Sequence, residues 1–350
     1  MAKKRCLMIG AGGMAGNWVR TMLPRFIDRL EVVALVDVQR DVLESAGDFL
    51  QLPAAARFAD MRAAFASVDA DFCAIVIPPA FHRDAAVLAA ERGLHILSEK
   101  PIADTWEASL DIYRAVKHAG VKMAVIQNYR YIAPLLTFRQ VLREERLGRL
   151  NYLVGRFAAD YRKYGAWGAF RHDIPHALLV DGAVHHFDML RNLSGSECQM
   201  LSGWEWNPAW GQSKGEFNDL YGMRMANGVY ASYEGSGTAA GIQNTWHREY
   251  YRAECERGAI VVDADRTVRL HQYTPGQGLR TEEVPPVKVE YEGHLWLIDA
   301  FLSWLDDGPV PETVVDDNLK SVAMVFAAIE ASRTNQSVDV AAMVRTATAG

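Results

Sequence analysis

CLMIGAGGMAG, residues 6–16, passes from a short apolar run straight into a glycine-rich turn. The run, bounded by turn residues, reads as a buried strand. The turn fits G-x-G-x-x-A, with Gly10, Gly12 and Ala15 at the three marked positions. Glycine at 10 permits the tight turn, glycine at 12 lets backbone approach a pyrophosphate, and alanine at 15 allows close helix–strand packing. The amides that open the following helix then face anionic oxygens. Gly10, Gly12, Gly13 and Met14 are therefore candidates for contact with a dinucleotide. Taken alone, a simple tight strand–helix turn would look the same, so its surroundings decide.

Outward from this turn the same pattern repeats. EVVALV (31–36), FCAIVI (72–77), LHIL (94–97) and KMAVI (122–126) read as buried parallel strands. DAAVLAAERG and TWEASLDIYRAVKHAG read as helices between them, the second capped by Thr105 and stopped by Gly120. Strand–helix alternation predicts an α/β fold, with a doubly wound parallel sheet over residues 1–127. Asp37 ends the second strand, where its carboxylate can accept hydrogen bonds from ribose hydroxyls and repel a 2′-phosphate. Arg40 is the nearby group that would accommodate that phosphate, or else a helix residue in solvent. The balance favours NAD over NADP as cofactor. The loop IVIPPAFH, beyond the third strand, carries Pro78 and His82 toward the cofactor side. His82 reads as a neighbour of the site, not as a chemical actor.

Past Asn151 the rhythm changes to extended segments: NYLVGRFAAD, LYGMRMANGVYASYEG and REYYRAECERGAIVVDA. Asn227-Gly228 and Arg257-Gly258 sit where hairpin turns belong. Residues 128–350 are thus expected to form an α/β domain with a large, mainly antiparallel open sheet. Its free face predicts a homodimer or homotetramer. LWLIDAFLSWL and NLKSVAMVFAAIEAS are late helices. The net charge of −6, with no basic block, argues against a nucleic-acid partner. No apolar run approaches the ~18 residues that span a bilayer, and no secretory leader is visible. Cys6, Cys73, Cys198 and Cys255 are isolated, so neither a disulfide framework nor a zinc motif is expected. The expected location is the cytoplasm.

LVDGAVHHFD, residues 179–188, poses a separate question. On an α-helix Asp181, His185 and Asp188 would share one face, at i, i+4 and i+7. A metal site, a proton-transfer dyad or a surface ion pair would each produce such a row. Leu178, Leu179, Val184, Phe187 and Leu190 surround it, which disfavours the surface pair. His186 points about 100° away from His185, and a metal would need a further ligand such as His82 or His247.

One strand earlier in this reading, SEKP places Glu99, Lys100 and Pro101 at a strand's carboxyl end. A glycine-rich first turn, then E-K-P, then D-x-x-x-H together resemble the Gfo/Idh/MocA family of nucleotide-dependent oxidoreductases, over nearly the whole chain. The resemblance implies hydride exchange between a nicotinamide and a hydroxyl carbon, usually of a sugar or cyclitol. It implies that Lys100 touches the reacting oxygen and that the Lys100–Pro101 peptide is cis. It also implies that Glu99 lies beside the cofactor. Under this reading His185 removes the hydroxyl proton, Asp181 orients it, and Asp188 anchors the helix; no metal is expected. Trp167 matches a family tryptophan that lines the active site. Tyr129, His176 and His247 are further candidates for substrate contact, with Arg130 and Arg171 behind them. NTWHREYYR suits a polyhydroxylated ligand, and equally a strand end with core aromatics; GWEWNPAW reads as a sugar-stacking surface or as ordinary packing. The chain departs from the family pattern at Ala183 and at Pro175-His176-Ala177, where glycines are usual, and by an extra glycine at Gly182. Two other readings are a glycoside-cleaving enzyme that oxidises transiently with bound NAD, and a non-catalytic dinucleotide-binding regulator.

Overall fold

The apolar runs of the first half assemble into one wholly parallel sheet. In chain order the elements are β1 (Lys4–Ile9), α1 (Gly13–Asn17), β2 (Leu30–Val36), α2 (Arg40–Phe49), β3 (Arg57–Phe58) and α3 (Met61–Ser67). β4 (Phe72–Ile75), α4 (His82–Glu91), β5 (His95–Ser98), α5 (Trp106–Ala119) and β6 (Met123–Val125) follow. The sheet order is β3-β2-β1-β4-β5-β6, with every pair parallel. The order reverses beside β1, so the turns leaving β1 and β4 flank the switch point where such sheets bind ligands. Cys6 to Ile9 and Phe72 to Ile75 are buried on both faces, as helices on both sides of a parallel sheet require.

Local signals explain the boundaries. Thr105 Oγ1 accepts the Ala108 amide at 3.1 Å, and Gly120 ends α5 in the left-handed region at φ 66°. β4 stops at Ile75, two residues before the apolar run does, because the Pro78-Pro79 pair starts a 3-10 turn (Pro79–Phe81). The two-residue β3 has no pattern long enough to be read in sequence.

This computed structural model describes residues 2–349. It divides into two compact units: the chain up to Gln127 with His294–Leu319, and Asn128–Gly293 with the chain from Lys320. A second domain running without a break from 128 is thereby corrected. The next helices and strands are α6 (Ala133–Arg143), β7 (Leu150–Ala158), α7 (Ala169–Asp173), α8 (Val184–Ser194) and β8 (Cys198–Trp206). They continue as β9 (Asn218–Met225), β10 (Tyr230–Ser236), β11 (Tyr250–Cys255), β12 (Gly258–Val262), β13 (Val268–Thr274) and β14 (Gly278–Val284). The chain closes with α9 (His294–Leu305), α10 (Val315–Thr334), β15 (Val338–Asp339) and α11 (Val340–Thr348). α9 belongs to the first unit because its apolar face is a core surface. Phe301 meets Phe72 of β4 edge-on, ring centres 5.5 Å apart.

The second unit holds a nine-stranded sheet, β14-β13-β12-β11-β7-β10-β9-β8-β15. All pairs are antiparallel except β7 with β10. Burial alternates along β9 and β10, so one face is packed and the other is open to solvent. The expected hairpin at Asn227-Gly228 forms, with Gly228 at φ 87°. The next one turns one residue early, at Glu256-Arg257. Gly258 already lies in β12, where a Cβ would collide with the His271 carbonyl of β13.

Candidate functional site

In the first unit, the glycine turn and the end of β4 press against each other. Gly10 adopts φ 104°, and a Cβ on it would collide with the Val76 carbonyl. The Asp37 carboxylate reaches across from the end of β2. Its Oδ2 accepts the amides of Ala11 at 2.8 Å and Gly12 at 3.3 Å. Gly13 has open space around its missing Cβ, and Gly13, Met14 and Arg40 are exposed. A narrow backbone cradle with a carboxylate at its rim fits a dinucleotide: backbone amides for the pyrophosphate, Asp37 for the ribose. Pro78 is exposed in the loop beyond β4.

Two residues expected beside the cofactor also have partners within the protein. His82 is fully buried, with Nδ1 2.9 Å from the Pro101 carbonyl and Nε2 2.8 Å from the Ile77 carbonyl. Burial lowers its pKa, outweighing these carbonyls. It ties the loop after β4 to the segment carrying Lys100. The Glu99 carboxylate accepts Trp18 Nε1–H at 3.0 Å and His294 Nε2–H at 3.1 Å. Burial pushes its pKa up, and the neighbouring charges, His294 first, bring it below the ordinary value. Lys100 stands in the turn after β5, half-buried, and its peptide with Pro101 is cis.

In the second unit, LVDGAVHHFD is not one α-helix. Leu178–Ala183 form a π turn, and α8 starts at Val184. Such turns occur frequently at functional sites. The polar row divides accordingly. Asp181, buried, makes an ion pair with Arg171, whose guanidinium lies 5.0 Å from the Trp167 ring centre. Asp188 is bound by Arg130 Nε at 2.7 Å and Nη2 at 2.5 Å, and by Ser321 Oγ at 2.6 Å. Arg130 is therefore an internal counter-ion, not a ligand contact. Burial would raise the Asp188 pKa, but the Arg130 charge holds it below the usual carboxylate range.

His185, also buried, stacks on Tyr129 with centroids 4.4 Å apart and planes at 12°. The Tyr129 hydroxyl donates to Glu249 Oε1 at 2.8 Å, and the exposed His247 packs on the same tyrosine ring at 4.8 Å. His186 turns away to Tyr233, whose hydroxyl lies 2.6 Å from its Nδ1. Trp167 stacks on both Tyr161 and Trp246, at 5.1 and 5.4 Å, and Trp246 Nε1 donates to the Tyr161 hydroxyl at 2.7 Å. Gly182 sits under both indoles; a Cβ there would lie 3.1 Å from Trp246 and 3.4 Å from Trp167. The structure thus brings Tyr129, His185 and His247 together, and links Trp167 to Asp181 through Arg171. His176 is committed elsewhere: its Nδ1 lies 2.7 Å from Glu205 Oε1.

Residues 4–127 match the oxidoreductase family, NAD-binding Rossmann fold, and residues 135–261 match the GFO/IDH/MocA C-terminal domain. The chain belongs to the Gfo/Idh/MocA family. The uncharacterized protein y4oX of Sinorhizobium fredii is 40% identical over 346 residues, covering 96% of this chain and 95% of its own. Levoglucosan dehydrogenase of Pseudarthrobacter phenanthrenivorans is 29% identical over 331 residues, covering 84% and 83%. An oxidoreductase from Agrobacterium radiobacter, solved with NAD⁺, L-tartaric acid and magnesium, shares the fold with a TM-score of 0.83. It is 20% identical, over 98% of this chain and 100% of that one. The first unit of this Gfo/Idh/MocA protein is an NAD-binding Rossmann domain, and the chain is an oxidoreductase. Among the described residues no helix is long and apolar enough to cross a membrane.

Measured against the family motif, the Gly182–Ala183 departure has a local cause: glycine at 182 leaves room for the paired indoles. Sequence reasoning missed Glu249, Tyr161 and the role of Arg171. Glu249 and Tyr161 carry no local signal, since their partners come from other elements. Arg171 is a candidate for ligand contact in the sequence, and its pairing with Asp181 is set by the fold.

Proposed function

We propose that this protein is an NAD-dependent dehydrogenase acting on a hydroxyl carbon of a sugar, sugar derivative or cyclitol. The observation that carries the reading is that Asp181 and His185 are both buried at the junction of the π turn and α8, in a chain whose other unit is an NAD-binding domain. NAD, when bound, accepts the hydride from that carbon. His185 takes the hydroxyl proton as neutral imidazole. Asp181, fixed by Arg171, stabilises the imidazolium that results. Lys100 holds the reacting oxygen and balances its developing negative charge. Tyr129, stacked on His185, keeps the imidazole plane in one orientation.

His247, exposed beside Tyr129, suits the hydroxyls of a cyclic polyol. The levoglucosan-oxidising relative supports the sugar class. Asp37, at the cradle, favours NAD over NADP. The net charge of −6 suits a small-molecule partner, not a nucleic acid. The four free cysteines suit work in the reducing cytoplasm. The test is a panel of sugars and cyclitols incubated with purified protein and NAD, with NADH formation followed by absorbance. Stoichiometric NADH with at least one cyclic polyol is expected. Turnover without net NADH, or no turnover in either direction, would overturn the reading.

A further inference from the structure

We infer that the second unit contains a binding site for a divalent transition-metal ion, formed by His176, Glu205 and Glu216 with Asp219 beside them. It uses none of the residues assigned above to proton transfer.

The strand register brings the acids together. Glu205 of β8 and Asp219 of β9 are direct cross-strand partners. Like charges placed so are unfavourable, and here both are buried: the Glu205 side chain is 4% exposed and Asp219 is 0% exposed. Neither Asp219 oxygen has a hydrogen-bond partner, nor does Glu205 Oε2. Buried polar atoms are nearly always satisfied, so three such oxygens on two cross-strand neighbours need counterparts. Among the described residues no lysine or arginine pairs with Glu205, Glu216 or Asp219. One imidazole cannot balance three carboxylates.

The geometry is that of a ligand set. His176 Nδ1 lies 2.7 Å from Glu205 Oε1 and 3.4 Å from Glu216 Oε2. One ligand atom from each of the three residues falls within 4.8 Å of the others. Tetrahedral zinc, with bonds of about 2.0–2.1 Å, separates neighbouring ligand atoms by about 3.4 Å. The His176–Glu216 separation already matches, and the His176–Glu205 contact would widen as the Nδ1 proton leaves to solvent and the metal takes its place. The backbone holds the third acid in position. The His176 amide donates to Glu216 Oε2 at 3.1 Å, and the Lys214 amide donates to the His172 carbonyl at 2.8 Å. Gly215 lets these segments touch, since a Cβ there would collide with the Ile174 carbonyl. His176 itself is held at φ 52°. An imidazole among carboxylates selects Zn²⁺ or Mn²⁺ over Mg²⁺ and Ca²⁺, which prefer all-oxygen sites.

The test uses the full chain, stripped with a chelator, without cofactor or substrate, so its outcome is independent of the dehydrogenase reading. Mn²⁺ is titrated with free ion followed by electron paramagnetic resonance, and Zn²⁺ is added in competition. The expected result is one Mn²⁺ bound per chain, displaced by Zn²⁺ and not by Mg²⁺. His176→Gly keeps the positive φ without strain, and Glu216→Gln changes a partly exposed side chain, so both variants should fold with unchanged circular dichroism. Each should weaken Mn²⁺ binding ~10-fold or more. Absence of saturable binding at millimolar Mn²⁺ and Zn²⁺, or unaltered binding in both variants, would overturn the site and leave a cluster balanced by protons.

Discussion

His185 and Asp37 are the two residues whose replacement separates the proposed chemistry from cofactor binding. His185 is buried and stacked on Tyr129 in the second unit, whereas the cofactor cradle is built from first-unit residues. His185→Ala should therefore cut alcohol oxidation ~100-fold or more, the usual contribution of a positioned base. NAD affinity should stay within experimental error of the wild type, as titration of cofactor fluorescence would show. The rise of oxidation rate with pH should also disappear, because the imidazole must be neutral to take a proton. Asp37 accepts the glycine-turn amides through one oxygen, and its other accepts the Gln39 amide at 2.8 Å. A 2′-phosphate would face this carboxylate, with exposed Arg40 as its only charged compensation close in sequence. NAD should bind several-fold tighter than NADP, and Asp37→Ala should narrow that gap. Equal affinities in the wild type would show that Arg40 governs the choice.

At the scale of elements, α8 is held by a fully buried ion pair. Arg130 grips Asp188 through two nitrogens, and Ser321 of α10 donates to the same carboxylate. Removing one partner leaves the other charge buried alone, so Asp188→Ala should cost ~3–5 kcal/mol in urea denaturation. The sign of the pH effect follows from the depressed Asp188 pKa. Its stabilisation is complete above the ordinary aspartate value of 3.8 and is lost as pH falls through the lower folded value. The difference between wild type and Asp188→Ala should accordingly be constant near neutrality and shrink in acid below 3.8. A difference that grew on acidification would contradict the assignment.

For the molecule as a whole, we propose that the open face of the nine-stranded sheet sets the state of association. Trp204 and Leu220 are cross-strand partners on that face, 58% and 46% exposed, with Trp206 and Tyr230 also exposed. Apolar surface of this kind is rarely left in water. The protein is proposed to be a homodimer or homotetramer joined through this sheet. Light scattering on micromolar protein should report the oligomer, and Trp204→Asp with Leu220→Arg should lower the mass without changing the far-ultraviolet circular dichroism. A wild-type monomer would remove this prediction.

Much of this was legible along the chain. Buried parallel strands appear as apolar runs, and the glycine turn with Asp37 is a local pattern, so the first sheet and its cofactor side follow from neighbours in sequence. Thr105 and Gly120 mark the ends of α5 for the same reason, since caps act within a few residues. The row from Asp181 to Asp188 was visible, but not what each member pairs with. A 3.6-residue period places all three on one face; the π turn over Leu178–Ala183 and the charges of Arg171 and Arg130 distribute them among different partners. Glu99 and His82 are expected beside the cofactor, Glu99 from the family resemblance and His82 from its place after a strand; their bonds to Trp18, His294 and the Pro101 carbonyl come from distant segments and were not legible. The meeting of His176, Glu205, Glu216 and Asp219 was invisible, because it depends on the register of β8 against β9. Local pattern determines which segments become strands and helices; register and packing between distant segments decide which charges meet, and no short stretch of sequence encodes that.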